Sequence, residues 1–319
     1  MKNILVIGAC GQIGSELTLE LRKEFGVQNV VASDICIKAG SVLADGPMET
    51  LDARDRKAIT EISNKYNIDT IINLAAILSA NGEKNPALAW DVNINALINT
   101  FEVAREMKMD RVLVPSSIAA FGPTTPRVNT PQETILEPTT MYGITKVAGE
   151  LLGDYYVKKY GLDVRGLRYP GIISHETLPG GGTTDYAVAI YYDAVKFNKY
   201  TCFVKEDTRL PMMYMPDCIK ATIDLLKADF STLKHHANFN VGAMSFSVAE
   251  LAECIKKYQP DFSVDYAPDY RQAIADSWPD SIDDTAARAE WGWKPAFDLD
   301  AMTQDMLKNI RIKHEKGLI

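Results

Sequence analysis

Three closely spaced glycines after a short apolar run constrain this chain more than any other feature. The run Asn3–Ile7 leads directly into Gly8-Ala9-Cys10-Gly11-Gln12-Ile13-Gly14. Apolar residues then recur at every fourth position: Ile13, Leu17, Leu21 and Phe25. This order predicts a buried strand, a tight turn and a helix that packs one apolar stripe against a sheet. Glycines at the turn let the backbone approach a pyrophosphate, which the N–H groups of the helix N-terminus would bind.

The first half of the chain alternates between apolar runs of strand length and segments with helical periodicity. Two further helices are predicted at Asp55–Tyr66 and Pro86–Glu106. The predicted buried strands are Asn3–Ile7, Asn29–Ser33, Thr70–Asn73, Arg111–Pro115 and Asp163–Arg168. Because parallel strands need crossover connections, this alternation predicts an α/β protein with a doubly wound parallel sheet of the Rossmann type.

The pattern becomes irregular after Pro170, which predicts a change of lobe. We expect residues 1–170 to form the dinucleotide-binding domain and residues 171–319 to form mainly a smaller α/β lobe for the substrate. Residues from about 200 to 245 are expected to return in part to the main sheet. A glycine-rich loop, Pro179-Gly180-Gly181-Gly182, precedes a predicted helix from Asp185. Later predicted elements are helices at Asp217–Leu226 and Ser247–Ile255 and a strand at Asn238–Val241.

An acidic residue after the second predicted strand indicates which cofactor the glycine turn would hold. A carboxylate at Asp34 can accept hydrogen bonds from both ribose hydroxyls of adenosine and would repel a 2′-phosphate, so NAD is favoured over NADP. Asp52, beside Ala53, is a candidate to accept from the adenine amino group, although a surface aspartate needs no ligand. The small residues of Leu74-Ala75-Ala76 would let a cofactor pass close to the backbone, or would simply pack in the core.

Tyr142 and Lys146 stand one helical turn apart at the start of a predicted helix, so both side chains lie on one face. A free tyrosine is a poor base at neutral pH, because its pKa is about 10. A nearby ammonium group and a positive nicotinamide ring would favour the phenolate and lower that pKa. Tyrosine then becomes a usable general base for an alcohol proton. Ser117, just after the strand that ends at Pro115, can position the oxygen of the substrate.

Composition and charge exclude several classes of function. A formal net charge of −8 opposes binding to nucleic acid, which needs a basic surface. The five cysteines are scattered and no two histidines lie four residues apart, so we expect neither a disulfide framework nor a metal site. The longest nearly apolar stretch, Thr70–Ala80, is too short to span a bilayer. The N-terminal run enters the glycine turn without a convincing cleavage site, so we expect a cytoplasmic protein that does not bind membranes.

Together these residues resemble the extended short-chain dehydrogenase/reductase family, which includes nucleotide-sugar epimerases. The resemblance covers nearly the whole chain and includes Arg168-Tyr169-Pro170-Gly171 and the late segment Ala289–Pro295. It implies that Lys146 binds the nicotinamide ribose as well as tuning the tyrosine, and that Ser117 assists. The cofactor-binding residues that it implies are Gly8, Gly11, Gln12, Ile13, Gly14, Asp34, Asp52, Ala53, Leu74, Ala75, Ala76, Asn93, Tyr142, Lys146 and Tyr169.

Three longer segments, residues 116–127, 138–146 and 168–188, resemble one branch of that family, the short-chain-type L-threonine 3-dehydrogenases. This resemblance implies metal-independent oxidation of the β-hydroxyl of L-threonine by NAD, which gives 2-amino-3-ketobutyrate. Tyr142 would take the hydroxyl proton while Ser117 orients the oxygen. A coenzyme A ligase would then use the product, or the product would decarboxylate to aminoacetone.

A small zwitterionic substrate needs donors for its carboxylate and an acceptor for its ammonium group. Ser79, Gly182 and Thr184 offer hydroxyl or backbone N–H donors, and Asp185 would either hold the ammonium group or shape the loop that does. Trp278 would cover the pocket. Each of these residues also has an ordinary explanation, since a threonine before a helix often caps it and a tryptophan often packs in a core.

Two other functions remain open at the level of the sequence. A nucleotide-sugar 4-epimerase or dehydratase would hold NAD tightly and would bind a diphosphate through basic residues. Between Gly171 and Leu210 the basic groups besides His175 are Lys196, Lys199, Lys205 and Arg209. A non-catalytic NAD sensor would not need the serine, tyrosine and lysine together. Relatives in the family commonly pair through two long helices, so we also expect a homodimer through Pro86–Glu106 and Met141–Lys159.

Overall fold

The computed structural model describes residues 1–37, 40–178 and 180–319, so Pro179 of the glycine-rich loop lies outside the described residues. The strands are β1 (Ile4–Ile7), β2 (Val30–Asp34), β3 (Met48–Thr50), β4 (Thr70–Asn73), β5 (Arg111–Leu113), β6 (Ser116–Ser117), β7 (Val164–Arg165), β8 (Leu167–Tyr169), β9 (Gly171–Ile173), β10 (Lys199–Cys202), β11 (Arg209–Tyr214), β12 (Phe239–Asn240), β13 (Met244–Ser247) and β14 (Ser263–Tyr266). The helices are α1 (Gln12–Phe25), α2 (Arg56–Tyr66), α3 (Ser79–Lys84), α4 (Pro86–Trp90), α5 (Ala96–Glu106), α6 (Met141–Tyr160), α7 (Tyr186–Phe197), α8 (Met215–Lys227), α9 (Val248–Lys256), α10 (Arg271–Asp276), α11 (Thr285–Trp291) and α12 (Leu299–Glu315).

The main sheet is parallel and runs in the order β3-β2-β1-β4-β5-β7. Short breaks separate β5 from β6 and β7 from β8. The strand predicted at Asp163–Arg168 is therefore divided in two, whereas the strand predicted at Arg111–Pro115 ends at Leu113 and β6 follows it. At the second break the N–H of Gly166 donates to the carbonyl of His236 at 2.8 Å. A Cβ at Gly166 would lie 2.4 Å from the carbonyl oxygen of Ala237, so the chain can pass here only without a side chain. Beyond the breaks, β6, β8 and β12 continue as parallel neighbours.

Side chains of each central strand alternate between two apolar cores, one on each face of the main sheet. Ile4 of β1 packs in the core that contains Leu17 of α1, and α8 lies beside α1 on this face. Leu5 packs in the opposite core with Ile59 of α2 and Phe101 of α5. Burial of each such side chain contributes about 1.5–3 kcal/mol. The prediction of an α/β, doubly wound parallel sheet is therefore confirmed.

The second half of the chain builds smaller sheets around a separate apolar core. In one sheet β11 lies between β9, which is parallel to it, and β13, which is antiparallel; β10 and β14 form a parallel pair. Helices α7, α9 and α12 pack together over this core. Within residues 200–245, β12 joins β8 and α8 packs on α1, whereas β10 and β11 belong to the smaller sheets.

The long helix predicted at Pro86–Glu106 is interrupted in its middle. It begins as α4, passes through a π-helical segment at Asp91–Asn95 and continues as α5. Such π-helical segments often occur at functional sites, since the extra residue turns one side chain away from the regular helix face. Here the segment carries Asn93, a predicted cofactor residue.

Candidate active site

The glycine turn forms a cradle at the carboxyl end of β1. Gly8 has a φ of 80°, and a Cβ there would lie 2.8 Å from the backbone nitrogen of Ala75. A Cβ at Gly14 would lie 2.2 Å from the carbonyl oxygen of Gly8, so α1 can approach the turn this closely only without a side chain. The N-cap of α1 is Gly11, which offers no side-chain oxygen to the first-turn N–H groups. Those groups are therefore oriented to bind a phosphate.

The carboxylate of Asp34 lies next to this cradle at the end of β2. Its Oδ2 accepts a hydrogen bond from the backbone N–H of Cys10 at 2.9 Å, and its Oδ1 accepts from the N–H of Cys36 at 3.3 Å. Each oxygen retains acceptor capacity for a ribose hydroxyl, because a carboxylate oxygen carries two lone pairs. The cradle, the open helix N-terminus and this acid all fit the pyrophosphate and adenosine ribose of NAD.

Asp52 has a close partner that sequence reasoning did not anticipate. Arg54 donates to it from Nε at 3.1 Å and from Nη2 at 2.7 Å, and a further nitrogen of Arg54 reaches Asp91 at 2.8 Å. These hydrogen bonds lower the pKa of the Asp52 carboxyl. Its neighbour Ala53 is buried. Asp52 therefore remains an anion, but Arg54 already uses part of its acceptor capacity.

Asn93 fixes the loop that follows β4. Its Oδ1 accepts from the N–H of Ile77 at 2.8 Å, and its Nδ2 donates to the carbonyl of Ile77 at 3.1 Å. The same Nδ2 lies 3.0 Å from Oγ1 of Thr145, so Asn93 also joins this loop to α6. The backbone N–H of Ala75 is bonded to Oδ1 of Asn73 at 3.1 Å. The small residues after β4 are thus held in place by two asparagines.

Tyr142 and Lys146 lie on the first turns of α6, which begins at a threonine cap. Oγ1 of Thr140 accepts from the N–H of Gly143 at 3.1 Å. Nζ of Lys146 lies 5.2 Å from the centre of the Tyr142 ring. The hydroxyl of Ser117, at the end of β6, acts on the phenol of Tyr142 and lowers its pKa. The structure therefore brings the three predicted catalytic residues together.

Burial acts on the two ionisable members of this set in opposite directions. It raises the pKa of Tyr142 to about 12, an effect that the hydroxyl of Ser117 partly opposes. It lowers the pKa of Lys146 to about 8, and the negative charge of Glu150 opposes that change. In both residues burial disfavours the charged form. The phenolate of Tyr142 must therefore be stabilised by its attraction to the ammonium group of Lys146 and to a second positive charge nearby.

The cradle and the catalytic set open into one cleft of about 240 Å³ between the two lobes. Sixteen of the predicted site residues line it: Gly8, Gly11, Gln12, Ile13, Gly14, Leu74, Ala76, Ser79, Ser117, Tyr142, Lys146, Tyr169, Gly182, Thr184, Asp185 and Trp278. The predicted residues that do not line it are Asp34, Asp52, Ala53, Ala75 and Asn93. Ala75 and Asn93 instead line a neighbouring cavity of about 30 Å³, and Asp52 lines a separate surface pocket with Arg54 and Asp91.

The glycine-rich loop contributes two threonines to the cleft, and sequence reasoning missed the first. Thr183 is buried, and its hydroxyl oxygen lies 3.3 Å from that of Ser79. Asp185 accepts from the N–H groups of Gly181 and Gly182, both at 2.7 Å. Burial raises the pKa of its carboxyl, and these two hydrogen bonds oppose the change. Asp185 therefore shapes the loop that it follows, which was one of the two roles expected for it.

Two aromatic residues, Trp278 and Tyr169, line the cleft. Trp278 is 4% exposed and belongs to the apolar core of the second lobe. The phenol of Tyr169 is bonded to Oγ1 of Thr222 on α8, and burial raises its pKa well above the ordinary value. Tyr169 therefore stays neutral and offers the cleft an apolar ring.

Arg209, one of the basic residues that could have bound a diphosphate, makes its contacts elsewhere. Its Nη1 donates to the carbonyl of Ser245 at 2.9 Å, and its Nη2 pairs with Glu250. Glu250 also closes the capping box of α9 with Ser247. Within the described ranges, no group of three or more His, Cys, Asp or Glu side chains could hold a metal ion, and no helix is long and apolar enough to cross a membrane.

A doubly wound sheet with a glycine cradle and a Ser–Tyr–Lys set defines an extended short-chain dehydrogenase/reductase. The chain belongs to the NAD dependent epimerase/dehydratase family, whose model matches residues 4–242. This membership confirms NAD as the expected cofactor.

Individual relatives match the chain over its whole length. An uncharacterised epimerase/dehydratase of Staphylococcus saprophyticus is 51% identical over 317 residues, which are 99% of each chain. The crystal structure of an L-threonine dehydrogenase from Clostridium difficile is 52% identical with a TM-score of 0.96, covering 100% of this chain and 99% of the other. A monomeric L-threonine 3-dehydrogenase from a metagenome is 50% identical with a TM-score of 0.94, covering 97% and 99%.

Proposed function

We propose that the protein is an NAD-dependent L-threonine 3-dehydrogenase of the short-chain type. The observation that carries this proposal is the full-length match, at 50% and 52% identity, to two structures of L-threonine dehydrogenases. The site supports it, because Ser117, Tyr142 and Lys146 line one cleft, and the side chain of Arg209, which a diphosphate could use, is engaged by Ser245 and Glu250. The substrate is oxidised at its β-hydroxyl and becomes 2-amino-3-ketobutyrate.

Tyr142 is the general base of the proposed reaction. Its phenolate takes the proton of the β-hydroxyl, and the C3–H bond breaks as the C–O bond becomes a carbonyl. Bound NAD would supply the acceptor for the hydride that leaves C3. Ser117 donates to the substrate oxygen and holds it next to Tyr142, on whose phenol the serine hydroxyl already acts. Lys146 supplies the positive charge that stabilises the phenolate.

The cofactor would extend from the catalytic set across the cradle. Gly8, Gly11 and Gly14 admit the pyrophosphate, whose charge the N-terminus of α1 stabilises. Asp34 accepts from the adenosine ribose, and Asp52 lies at the adenine end. The remaining cofactor contacts that we propose are Gln12, Ile13, Ala53, Leu74, Ala75, Ala76, Asn93, Lys146 and Tyr169.

The substrate would bind between the loop after β4 and the glycine-rich loop. Ser79 and Thr184, with the N–H of Gly182, are the proposed donors to its carboxylate. The hydroxyl of Thr183 lies 3.3 Å from that of Ser79 and supports it in this orientation. Asp185 would hold the loop in shape through the N–H groups of Gly181 and Gly182, and Trp278 would form the apolar wall.

The proposal is tested by following NADH absorbance with purified protein, NAD and L-threonine in the presence of a chelator. Continuous formation of NADH that depends on threonine is expected. The parallel trial uses a UDP-sugar, for which the engaged side chain of Arg209 predicts no conversion. Conversion of the UDP-sugar with NAD retained, and no NADH from threonine, would instead support a nucleotide-sugar 4-epimerase on the same fold.

We also propose that two copies of the chain pair through α6 and the helix beside it. Ile144, Leu151 and Tyr155 are 41%, 65% and 49% exposed and follow one stripe of α6. Trp90 of α4, 44% exposed, adds to this apolar surface. Exposed apolar groups at such spacing favour helix–helix contact. The measurement is light scattering after gel filtration. A dimer that becomes monomeric in Leu151→Glu is expected, and a monomeric wild-type protein, as in the metagenome relative, would contradict it.

The product, an α-amino-β-keto acid, is unstable to decarboxylation. A coenzyme A ligase that cleaves it is therefore the class of enzyme that we expect to act next.

A further inference from the structure

The segment 115–117 is joined to α6 by two hydrogen bonds. Nζ of Lys146 donates to the carbonyl of Pro115 at 2.7 Å, and Oγ of Ser116 donates to Oε1 of Glu150 at 2.5 Å. The next residue, Ser117, acts on the phenol of Tyr142. Lys146 and Tyr142 belong to the proposed catalytic set. Glu150 is one turn further along α6 than Lys146 and does not line the cleft.

Glu150 is a buried carboxylate held by a buried arginine. The side chains are 4% and 2% exposed, and Arg168 donates from Nε to Oε1 and from Nη2 to Oε2, both at 2.8 Å. Nη1 of Arg168 donates to the carbonyl of Gln132 at 2.8 Å and to Oδ1 of Asn240 at 3.1 Å. Ser116 lies directly opposite Arg168 in the pairing of β6 with β8. The carboxylate is therefore fixed in position by three donors.

Lys146 and Glu150 face the same small cavity of about 30 Å³, and they are the charged residues among the described side chains that line it. Its other polar side chains, Asn73, Asn93, Ser116 and Thr145, are neutral. Arg168 does not line this cavity, because it lies behind Glu150. On the cleft side, the other ionisable residues that line the cleft with Lys146 are Tyr142, Tyr169 and Asp185.

We propose that Glu150 is a positioning residue of the dehydrogenase: its carboxylate, oriented by Arg168 and Ser116, keeps Lys146 protonated beside Tyr142. The catalytic consequence rests on the proposed function, whereas the electrostatic effect on Lys146 does not. Burial lowers the pKa of Lys146 and the charge of Glu150 opposes this, with a net pKa of about 8. Arg168 weakens this effect of Glu150 on the pKa of Lys146, because its positive charge partly neutralises the carboxylate.

Glu150 and Arg168 must therefore shift the pKa of Lys146 in opposite directions. Glu150→Gln removes the nearer negative charge, so Lys146 should lose its proton about one pH unit lower. Arg168→Gln removes the more distant positive charge, so the midpoint should move to higher pH. The double variant Glu150→Gln/Arg168→Gln removes both charges and should fall between Glu150→Gln and the wild type. Glu150→Asp keeps the charge and is the matched control, with a midpoint close to the wild type.

The titration is read without substrate or cofactor. The protein is labelled with [ε-¹³C]lysine, and the Lys146 signal is assigned by its absence from Lys146→Arg. A circular dichroism spectrum and a melting curve show which variants are folded. If a single variant does not fold, the neutral double variant decides, because it leaves no buried charge unpaired. A Lys146 midpoint below that of the wild type in Glu150→Gln, or in the double variant, supports the proposal. An unchanged midpoint in these variants overturns it.

A merely structural role predicts a different result. Loss of packing would shift the midpoint of the Lys146 titration in the same direction in Glu150→Gln and Arg168→Gln, or would leave it unchanged in both. Either outcome overturns the proposal. In kinetics with L-threonine, the alkaline limb of kcat should follow the same order as the NMR midpoints. If the wild-type protein made no NADH from threonine, the proposed function would fall, but the NMR order would still decide the role of Glu150.

Discussion

Replacing Lys146 by methionine should raise the apparent pKa of Tyr142 by about two units. Nζ of Lys146 lies 5.2 Å from the centre of the Tyr142 ring. With an effective dielectric constant of about 20, opposite unit charges at that separation attract by about 3 kcal/mol, which corresponds to about two pKa units. The ammonium group stabilises the phenolate, so its removal makes the phenolate harder to form. The proton of Tyr142 is then lost only at a higher pH.

The assay is the pH dependence of kcat for oxidation of L-threonine at saturating NAD. The acidic limb, along which kcat rises as the base loses its proton, should move about two units to higher pH in Lys146→Met. Lys146→Arg keeps the positive charge and should move this limb far less. A Lys146→Met variant that folds, binds NAD and shows the acidic limb of the wild type would refute the electrostatic role of Lys146.

Three further variants test other parts of the site. Tyr142→Phe should lose about 10²–10⁴-fold in kcat while still quenching NADH fluorescence on binding, because only the transferable proton is gone; turnover at the wild-type rate would remove Tyr142 from the mechanism. Asp34→Ser should narrow the preference for NAD over NADP in kcat/KM, and an unchanged ratio would mean that another group reads the ribose. Gly14→Ala places a Cβ 2.2 Å from the carbonyl oxygen of Gly8 and should weaken NAD binding in calorimetry; wild-type affinity would show that the cradle is not the phosphate site.

Local patterns were enough to predict the part of the fold that carries the cofactor. The strand at Thr70–Asn73 has the predicted limits, and α2 and α6 differ from prediction by one residue at one end. Such elements are determined by nearby apolar spacing, caps and glycines. Tyr142 and Lys146 meet because they share one helix, and Ser117 meets them because it ends a neighbouring strand.

Contacts between distant segments could not be read from the sequence. Nothing near Asp52 indicates that Arg54 also reaches Asp91, and nothing near Glu150 indicates that Arg168 on β8 will neutralise it. Thr183 was missed for a simpler reason, since the sequence offers two adjacent threonines and only the structure shows which one reaches Ser79. The breaks in the sheet depend on backbone that returns from residues 236–239, far along the chain.

The most direct test of the account is the fate of the hydrogen on C3 of the substrate. The purified protein is given NAD and L-threonine deuterated at C3, and NADH is examined by mass spectrometry. Because the proposed reaction breaks that bond as the carbonyl forms, one deuterium should appear in each NADH, and 2-amino-3-ketobutyrate or its decarboxylation product should carry none at that carbon. NADH without deuterium, or no NADH at all, would contradict the central claim that this site oxidises L-threonine at its β-hydroxyl.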